Sequence, residues 1–381
     1  MPRDGDPRLE DLAVTLIARA NQLGGQLHAN VRASIGDLVR SMNCYYSNLI
    51  EGHNTHPREI DRAMVEDYSR DPKRRVLQQE ARAHIEVQRM IDAGEDPKEA
   101  PTSTRYIKWL HYEFCRRLPE ELLVVRNART GHEVIVEPGE LRDGDVEVGQ
   151  HLPPTAQEIP HFLERLEKAY EPSRLLPTHR LIAVAAVHHR LLWVHPFYDG
   201  NGRVARLVAH AMLLRLGVGS SVWSVARGLA RNVERYKSGL MLADEPRHGD
   251  LDGRGALSEM RLHEFCEFFL ETCIDQVNFM ESLLQPSELL RRMKLHVDDE
   301  VSAQRLPRGS LALLREALLA GEMDRGRAAD LTGYQERRGR EILAGLLKSG
   351  LLVSQGPRAP VRLGFPVDVA ERWFPRLYPV D

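Results

Sequence analysis

The sequence has no long apolar run and little cysteine. No stretch of about 18 uninterrupted apolar residues occurs, so a membrane-spanning helix is not expected. The first residues, MPRDGDPRLEDL, are charged and lack the apolar core of a secretion signal. The spacing of the cysteines is not that of a metal site. We therefore expect a reduced, cytoplasmic protein. The four cysteines are Cys44, Cys115, Cys266 and Cys273.

A strong charge of one sign is also missing. Lysine and arginine number 52 against 55 aspartates and glutamates, which gives a net charge of -3. This balance carries no general signal for nucleic acid, so any basic site must be local. Hydrophobic residues make up 42% and charged residues 28%, which is ordinary for a folded protein. The 381 residues are enough for two or three domains with sizeable cores.

The most informative stretch is HPFYDGNGRVAR at 195–206. It lies between an apolar segment at 181–194 and a second one at 204–216, both of which predict helices. Gly200-Asn201-Gly202 would open the second helix, where free N–H groups and the helix dipole attract anions. Arg203 and Arg206 are three apart and share one helical face. The pattern favours binding of a polyphosphate together with a divalent metal.

Residues 8–50 predict helices with a break near Gly24-Gly25, ending in the sequence Ser47-Asn-Leu-Ile-Glu51-Gly52. Glu51 is then at a helix C-terminus, where the dipole disfavours a negative charge. Two interpretations follow. Glu51 is a surface charge beside a glycine C-cap, or its carboxylate has a cationic partner, for which Arg206 is a candidate.

The middle of the chain predicts a short hairpin among helices. Residues 124–136 are β-rich, 139–149 alternate around Gly144, and Leu152-Pro153-Pro154 is extended. Such a hairpin is either a plain connector or an edge for an extended peptide. Helices are predicted at 57–94, from 102 or 103 to 117, and at 156–170, 178–194, 222–243 and 258–292.

The C-terminal part predicts a separate module. A charged linker at 293–305 precedes it. Three short helices at 310–319, 325–331 and 335–349, followed by strands at 350–353 and 361–363, form a winged-helix pattern. The third helix carries Arg337, Arg338 and Arg340, which fit DNA contacts, but Glu336 and Glu341 lie among them. DNA binding and protein contacts both remain open.

These motifs together resemble the Fic family. HPFYDGNGRVAR matches the Fic signature HPFx(D/E)GNGRxxR at every defined position, and the segment ending in Glu51-Gly52 resembles the (S/T)xxxE(G/N) inhibitory motif. Residues 139–154 resemble the substrate-docking flap, and Asn232–Tyr236 the segment that closes over the nucleobase. The resemblance covers about residues 30–290.

The resemblance implies a mainly α fold. A Fic-type helical core with a short β-hairpin flap would be followed by a small C-terminal winged helix-turn-helix domain. The implied divisions are 1–100 for the N-terminal helices with the inhibitory motif, 101–292 for the core with its flap at 139–154, 293–305 for the linker and 306–381 for the winged helix.

The resemblance also implies an activity, the transfer of AMP from ATP to a Ser, Thr or Tyr hydroxyl of a target protein or of the chain itself, with Mg²⁺. Gly202 stands where kinase-like relatives have lysine, and the intact Asp199 favours nucleotidyl transfer. Lys237 departs from the Tyr-Tyr pair common in relatives. The implied roles are His195 as general base, Phe197 as structural anchor, Asp199 as metal ligand, Gly200, Asn201 and Gly202 as anion hole, Arg203 at the β- and γ-phosphates, Arg206 at the γ-phosphate, Tyr236 at the base, and Glu51 as the inhibitory partner of Arg206.

Several alternatives stay open. The nucleotide could be ATP, UTP or GTP, with AMP as the family default. The protein could instead be a nucleotide-sensing, DNA-binding transcription regulator, a toxin-like transferase held inactive by Glu51, or an enzyme that removes AMP with the help of Glu51. Expected partners are a target protein on the 139–154 hairpin, DNA at the winged helix and a second copy in a homodimer.

Overall fold

The structure is a computed structural model that describes residues 1–2, 5–126, 131, 133–219 and 221–378. Over these ranges the chain forms sixteen α-helices and two small antiparallel sheets of two strands each. The prediction of a mainly α fold is confirmed. Within the same ranges, no helix is both long and apolar enough to cross a membrane. The chain divides into two compact units, one made of 1–20, 43–220 and 224–276, the other of 21–42, 221–223 and 277–381.

The N-terminal helices follow the predicted pattern. The chain leaves the helical conformation after Gly25 and resumes it at Ala29, as the Gly24-Gly25 pair predicts. The Ser103 side chain accepts a hydrogen bond from the Tyr106 N–H at 3.1 Å and so caps the fifth helix. The helices are α1 Pro7–Gly25, α2 Ala29–Ile50, α3 Pro57–Met64, α4 Pro72–Asp92 and α5 Thr104–Cys115.

Two adjacent helices form the centre of the first unit. The helix at Pro177–Val194 is buried from Leu181 to His189, and the helix at Asn201–Arg215 is buried along most of its length. A helix that is covered on all sides belongs in a core, and it can therefore hold the loop at its end in one place. The pair is α7 Pro177–Val194 and α8 Asn201–Arg215. The neighbouring helices in the chain are α6 Ile159–Ala169, α9 Val225–Arg231, α10 Val233–Ala243 and α11 Glu259–Leu284.

The predicted hairpin at 139–154 is wrong in its details. Regular strands occur earlier, where β1 Val124–Arg126 pairs with β2 Glu133–Ile135. Residues 127–130 and 132 of the β-rich stretch lie outside the described residues. Within the described chain, 139–154 has a single bridge between Val148 and His151 and otherwise forms an irregular loop. The physical reasons are that Pro153 and Pro154 lack an N–H and that the Arg142 N–H donates to the Pro196 carbonyl instead of to a partner strand, at 2.9 Å.

The predicted linker at 293–305 is mostly helical. Residues 293–302 belong to α12 Pro286–Ser302, in which Met293 and Val297 are buried. The charges that suggested a linker form an exposed face, where Lys294 pairs with Asp298 at 2.9 Å and four-residue spacing. The charged composition therefore marked one side of an amphipathic helix.

The C-terminal module contains the predicted order of three helices and two strands. Met323 also bridges to Val361, which extends the small sheet. A last helix was not predicted. It buries Trp373, whose ring packs edge-on against His296 with centroids 6.0 Å apart. The elements are α13 Ser310–Ala320, α14 Ala328–Thr332, α15 Glu336–Lys348, β3 Leu352–Val353, β4 Arg362–Leu363 and α16 Val367–Trp373.

Candidate functional site

The loop between α7 and α8 turns sharply at two left-handed residues. His195 ends α7 with φ 48° and ψ 62°, and Gly200 precedes α8 with φ 79° and ψ -1°. The first α8 backbone hydrogen bond to the loop runs from the Val204 N–H to the Gly200 carbonyl at 2.9 Å. The N–H groups of Asn201, Gly202 and Arg203 have no carbonyl inside the helix, which leaves them available for an anion.

Buried side chains brace this loop from inside. The Asn201 amide donates to the Phe197 carbonyl at 2.8 Å, and its oxygen accepts from the Phe197 N–H at 3.0 Å. The Phe197 ring is fully buried and stacks on His111 with centroids 3.8 Å apart. His111 in turn accepts from the Gly139 N–H at 2.9 Å. The buried position of Phe197 suits a structural anchor. Because the Asn201 side chain is bonded to the Phe197 backbone, only the backbone N–H of Asn201 is available for an anion.

The surroundings of His195 keep its imidazole neutral. Burial, together with the nearby positive charges of Arg142 and His151, lowers the pKa of His195 to about 4. The imidazole is therefore neutral at physiological pH, as a general base must be before it acts. The residue at this position has the protonation state that the sequence motif implies for it.

Arg142 ties the 139–154 loop to the backbone of the motif. Its side chain is fully inaccessible to solvent. The guanidinium donates to the carbonyls of His195 at 2.8 Å, Gly144 at 2.9 Å and Pro154 at 2.6 Å. The Arg142 N–H donates to the Pro196 carbonyl. One buried cation thus fixes both ends of the loop beside His195, a role that the sequence did not indicate.

Two more contacts secure the same loop. The Tyr198 hydroxyl donates to Asp143 at 2.6 Å, although the sequence assigned Tyr198 no role. A nitrogen of His151 lies 2.9 Å from the Trp193 carbonyl, and its other nitrogen lies 3.1 Å from the Asp244 carboxylate. The loop is therefore attached to α7 and to the residue that follows α10.

The predicted ion pair between Glu51 and Arg206 is present. Arg206 Nη2 lies 2.5 Å from Glu51 Oε1, and the two residues are 155 positions apart in the chain. Arg206 also donates to the Ser47 hydroxyl at 2.8 Å and to the Ser47 carbonyl at 3.2 Å. Burial alone would raise the pKa of Glu51, but the charges of Arg206 and Arg203 outweigh it and hold that pKa below its usual value. Glu51 is therefore ionised.

The Glu51 carboxylate also lies against Gly202. A Cβ added at Gly202 would overlap Glu51 Oε1 and would come within 3.2 Å of Arg206 Nη1. A side chain at this position would therefore displace the Glu51 carboxylate from the start of α8. Since Gly202 is in the first turn of α8, the helix N-terminus already faces an anion from its own chain.

Arg203 is paired inside the protein. Its Nη2 donates to Glu80 on α4 and lies 3.1 Å from His53 Nδ1. His53 Nδ1 is also 2.8 Å from the second oxygen of Glu80, and this contact raises the pKa of His53. The Arg203 guanidinium lies over the Phe114 ring at 5.4 Å. The sequence did not identify Glu80 or His53, because neither lies in a motif and α4 carries no signal for what it faces.

Asp199 is exposed beside the helix N-terminus. Over the described ranges, no group of three or more His, Cys, Asp or Glu side chains could hold a metal ion. Mg²⁺ keeps several waters and is often bound by one or two carboxylates plus substrate phosphates. A single carboxylate at this place fits such shared binding and does not fit a cage made by the protein alone.

Tyr236 is buried and not an exposed ring. Its side chain is 2% exposed, and its hydroxyl lies 2.8 Å from His188 Nε2. Burial raises the pKa of Tyr236 to about 12. The ring belongs to an aromatic cluster with Phe265, at a centroid distance of 6.5 Å. Its contact with a nucleobase stays a prediction.

Comparison with known proteins finds a family match that includes the loop between α7 and α8. Residues 101–213 match the model of the Fic/DOC family. The chain is 33% identical over 98 residues to "Protein adenylyltransferase Fic" of Drosophila erecta, which is 26% of this chain and 20% of that protein. The corresponding protein of Drosophila persimilis is 33% identical over 114 residues, 29% of this chain and 22% of that one. The chain thus spans about a fifth of the length of these curated relatives.

Solved structures share the fold. A Fic family protein from Desulfovibrio desulfuricans G20 superposes with a TM-score of 0.54 at 18% identity, covering 96% of this chain and 98% of that one. A Fic domain containing signaling protein from Bacteroides thetaiotaomicron gives 0.52 at 20% identity, covering 71% and 95%. At these identities the similarity establishes the fold alone.

Proposed function

We propose that the protein transfers AMP from ATP to a Ser, Thr or Tyr hydroxyl of a target protein or of itself, because residues 101–213 match the model of the Fic/DOC family. The observation that carries this proposal is a neutral His195 placed one short loop before the free N–H groups of α8. The Drosophila relatives, 33% identical over 98 residues, are named protein adenylyltransferases, which supports the choice of reaction.

The chemistry needs a base and a site for developing negative charge. His195 would take the proton of the target hydroxyl while its oxygen attacks the α-phosphorus. The bond from that phosphorus to the bridging oxygen breaks, and pyrophosphate leaves. The N–H groups of Gly202 and its neighbours at 200–203 would stabilise the charge that develops on the phosphate oxygens. A base of this kind contributes about 10²–10⁴-fold.

Two arginines and one carboxylate would hold the triphosphate. Arg203 would bind the β- and γ-phosphates and Arg206 the γ-phosphate, since one guanidinium group can donate two parallel hydrogen bonds to phosphate oxygens. Asp199 would hold Mg²⁺ together with the phosphates, and the ion would offset their charge when bound. Tyr236 would lie near the nucleobase of ATP.

Glu51 would act as a built-in inhibitor. It engages Arg206 at 2.5 Å, and its carboxylate lies against Gly202. Both positions are those that phosphate oxygens would need, so an ionised Glu51 competes with the γ-phosphate by charge and by space. ATP could still bind, with its α-phosphate misaligned for attack.

The target hydroxyl would be presented by the 139–154 loop. The loop is fixed beside His195 by Arg142. It exposes apolar side chains, with Leu152 73% and Val148 40% exposed. Exposed apolar residues on a rigid loop are suited to contact a partner segment.

The decisive experiment is incubation of a cell lysate with labelled ATP, UTP and GTP. The wild type is compared with Glu51→Gly, and His195→Ala in the Glu51→Gly background serves as control. Transfer of label from ATP to a protein, absent in the control, supports the proposal. Transfer from UTP or GTP alone would replace AMP by another nucleotide. Absence of transfer from all three would refute a transferase.

A second function rests on the partial exposure of Glu51. Its side chain is 32% exposed and ionised, so it could accept a proton from water. In this alternative, water attacks the phosphate of an AMP-modified protein and AMP is released. Loss of label from a pre-modified target on adding wild type, but not Glu51→Gly, would favour this alternative.

The C-terminal module is proposed to be a winged helix. Its candidate DNA-contacting arginines are exposed, but Arg340 pairs with Glu336 at 2.6 Å, and Arg337 and Arg338 each pair with Glu341 at 3.2 Å. These carboxylates offset the positive charge that phosphate contacts need. Salt-dependent binding to promoter DNA, with no transfer of a nucleotide to protein, would favour the alternative of a nucleotide-sensing transcription regulator.

A further inference from the structure

On one side of the site, Arg203 belongs to a buried cluster whose other members have no assigned role. Its members are Glu80 of α4, Arg203 of α8 and His53, two residues after Glu51. The Glu80 side chain is 2% exposed and that of Arg203 is 5% exposed. A carboxylate buried to this degree is rare unless it is paired, and here it faces a residue expected to bind phosphate.

The geometry shows what the cluster does to Arg203. In the described part of the chain the polar side-chain contacts of Arg203 both use Nη2, which donates to Glu80 and lies 3.1 Å from His53 Nδ1. Its Nε is buried and has no hydrogen-bond partner there. The Phe114 ring covers the guanidinium. The group is therefore held by one nitrogen and by one ring face, which fixes its orientation.

The cluster also reaches the Glu51 segment. His53 Nδ1 lies 2.8 Å from Glu80, and the His53 N–H donates to the Asn48 carbonyl at 2.9 Å. The turn that carries Glu51 is thus attached to the same carboxylate that holds Arg203. Burial would raise the pKa of Glu51, but the charge of Arg206 and then that of Arg203 lower it, so Arg203 also helps to keep Glu51 ionised.

We infer that Glu80 is a positioning residue, which holds the Arg203 guanidinium in its phosphate-facing orientation and, through His53, fixes the turn that brings Glu51 to Arg206. This inference rests on the proposed binding of ATP at this site. Removing one partner of a buried ion pair leaves the other charge uncompensated. Without Glu80, Arg203 loses the partner that orients it, and its contact with phosphate is weakened.

The test measures ATP affinity by calorimetry in the Glu51→Gly background, where Glu51 no longer competes. Adding Glu80→Gln should weaken ATP binding at least about tenfold, because a hydrogen bond to a charged group is lost from the orienting set. In an Arg203→Gln background, the same Glu80→Gln change should have almost no further effect, since Glu80 acts through Arg203. Unchanged or tighter ATP binding by a folded Glu80→Gln variant would overturn the inference.

Two controls separate positioning from folding. Glu86→Gln changes another α4 glutamate that pairs with arginines, Arg82 at 2.7 Å and Arg117 at 3.2 Å, and it should leave ATP affinity unchanged. Glu80→Asp keeps the charge and shortens the side chain by one methylene. It replaces Glu80→Gln if that variant fails to fold, and it should bind ATP more weakly than the Glu51→Gly background. Affinity of Glu80→Asp equal to that of the background would also contradict the inference.

The proposed reaction is tested separately by label transfer in Glu51→Gly. ATP binding without transfer would refute the reaction and leave the comparison at Glu80 valid. Transfer with no effect of Glu80 would refute the inference alone. Failure of Glu51→Gly to bind ATP would overturn both.

Discussion

Arg206 donates a hydrogen bond to Glu51 at 2.5 Å, across 155 residues of sequence. The guanidinium is 3% exposed, and its Nε is held by the Ser47 hydroxyl at 2.8 Å. The orientation of Arg206 therefore depends on Ser47, while its charge is compensated by Glu51. Removing Glu51 leaves an oriented, uncompensated cation at the place proposed for the γ-phosphate.

The first prediction concerns Glu51→Gly. Self-modification with labelled ATP should rise about 5–150-fold, which corresponds to a coupling of about 1–3 kcal/mol between an inhibitory and a catalytic site. The measurement is label incorporated per minute into purified protein. Thermal unfolding supplies the folding control, and an unchanged rate in a folded variant would contradict inhibition by Glu51.

The second prediction concerns His195→Ala in the Glu51→Gly background. Transfer should fall about 10²–10⁴-fold, the contribution of a general base, while ATP affinity should stay within about twofold because the phosphate contacts are intact. Calorimetry and label transfer measure the two effects. Residual transfer at the parent rate would exclude His195 as the base.

The third prediction concerns pH. Since the pKa of His195 is lowered to about 4, its neutral form persists well below the ordinary histidine pKa of 6.5. The rate of transfer by Glu51→Gly should stay flat as pH falls through 6.5 and decline only on approach to about 4. Lowering the pH protonates the base, so the loss is on the acid side. A midpoint near 6.5 would indicate a solvated His195.

The fourth prediction concerns Arg142→Lys. Lysine keeps the charge but lacks the planar fork that reaches several carbonyls, so the 139–154 loop should loosen beside His195. Hydrogen exchange should speed up in this loop by about tenfold or more, as about 1.5–3 kcal/mol of charged hydrogen bonding is lost. Transfer to a protein target should fall more than ATP binding.

The matched control for Arg142 is Arg105→Lys. Arg105 is on α5 and its side chain is 78% exposed, so this change should alter neither exchange nor transfer. Equal effects of the two substitutions would show that the loop does not depend on Arg142.

The loop at 195–206 is predictable from the sequence because its residues are contiguous. The motif at 195–206 fixes the helix ends, the left-handed glycine and the two arginines on one face. The Glu51–Arg206 contact was predicted from two motifs, and the structure contains it. Its inhibitory effect stays a prediction, as do the roles of Asp199, Arg203 and Tyr236.

The contacts that were missed join elements without motifs. Glu80 meets Arg203 only because of how α4 packs on α8, and helix packing is set by shape across the whole core. The sequence pattern places Arg142 in a hairpin, but its guanidinium donates to the carbonyl of His195 in the α7–α8 loop. The charged composition of 293–305 predicts a linker, but most of these residues form the exposed face of α12.

His195 adopts a left-handed backbone conformation, with φ 48°. Non-glycine residues rarely adopt it, and it costs about 1–3 kcal/mol when the surroundings impose it. Glycine would adopt the same conformation without a Cβ clash. Glycine would therefore relax the backbone at the position where the proposed reaction needs an imidazole. At residue 195, selection for an unstrained backbone and selection for the proposed base act in opposite directions.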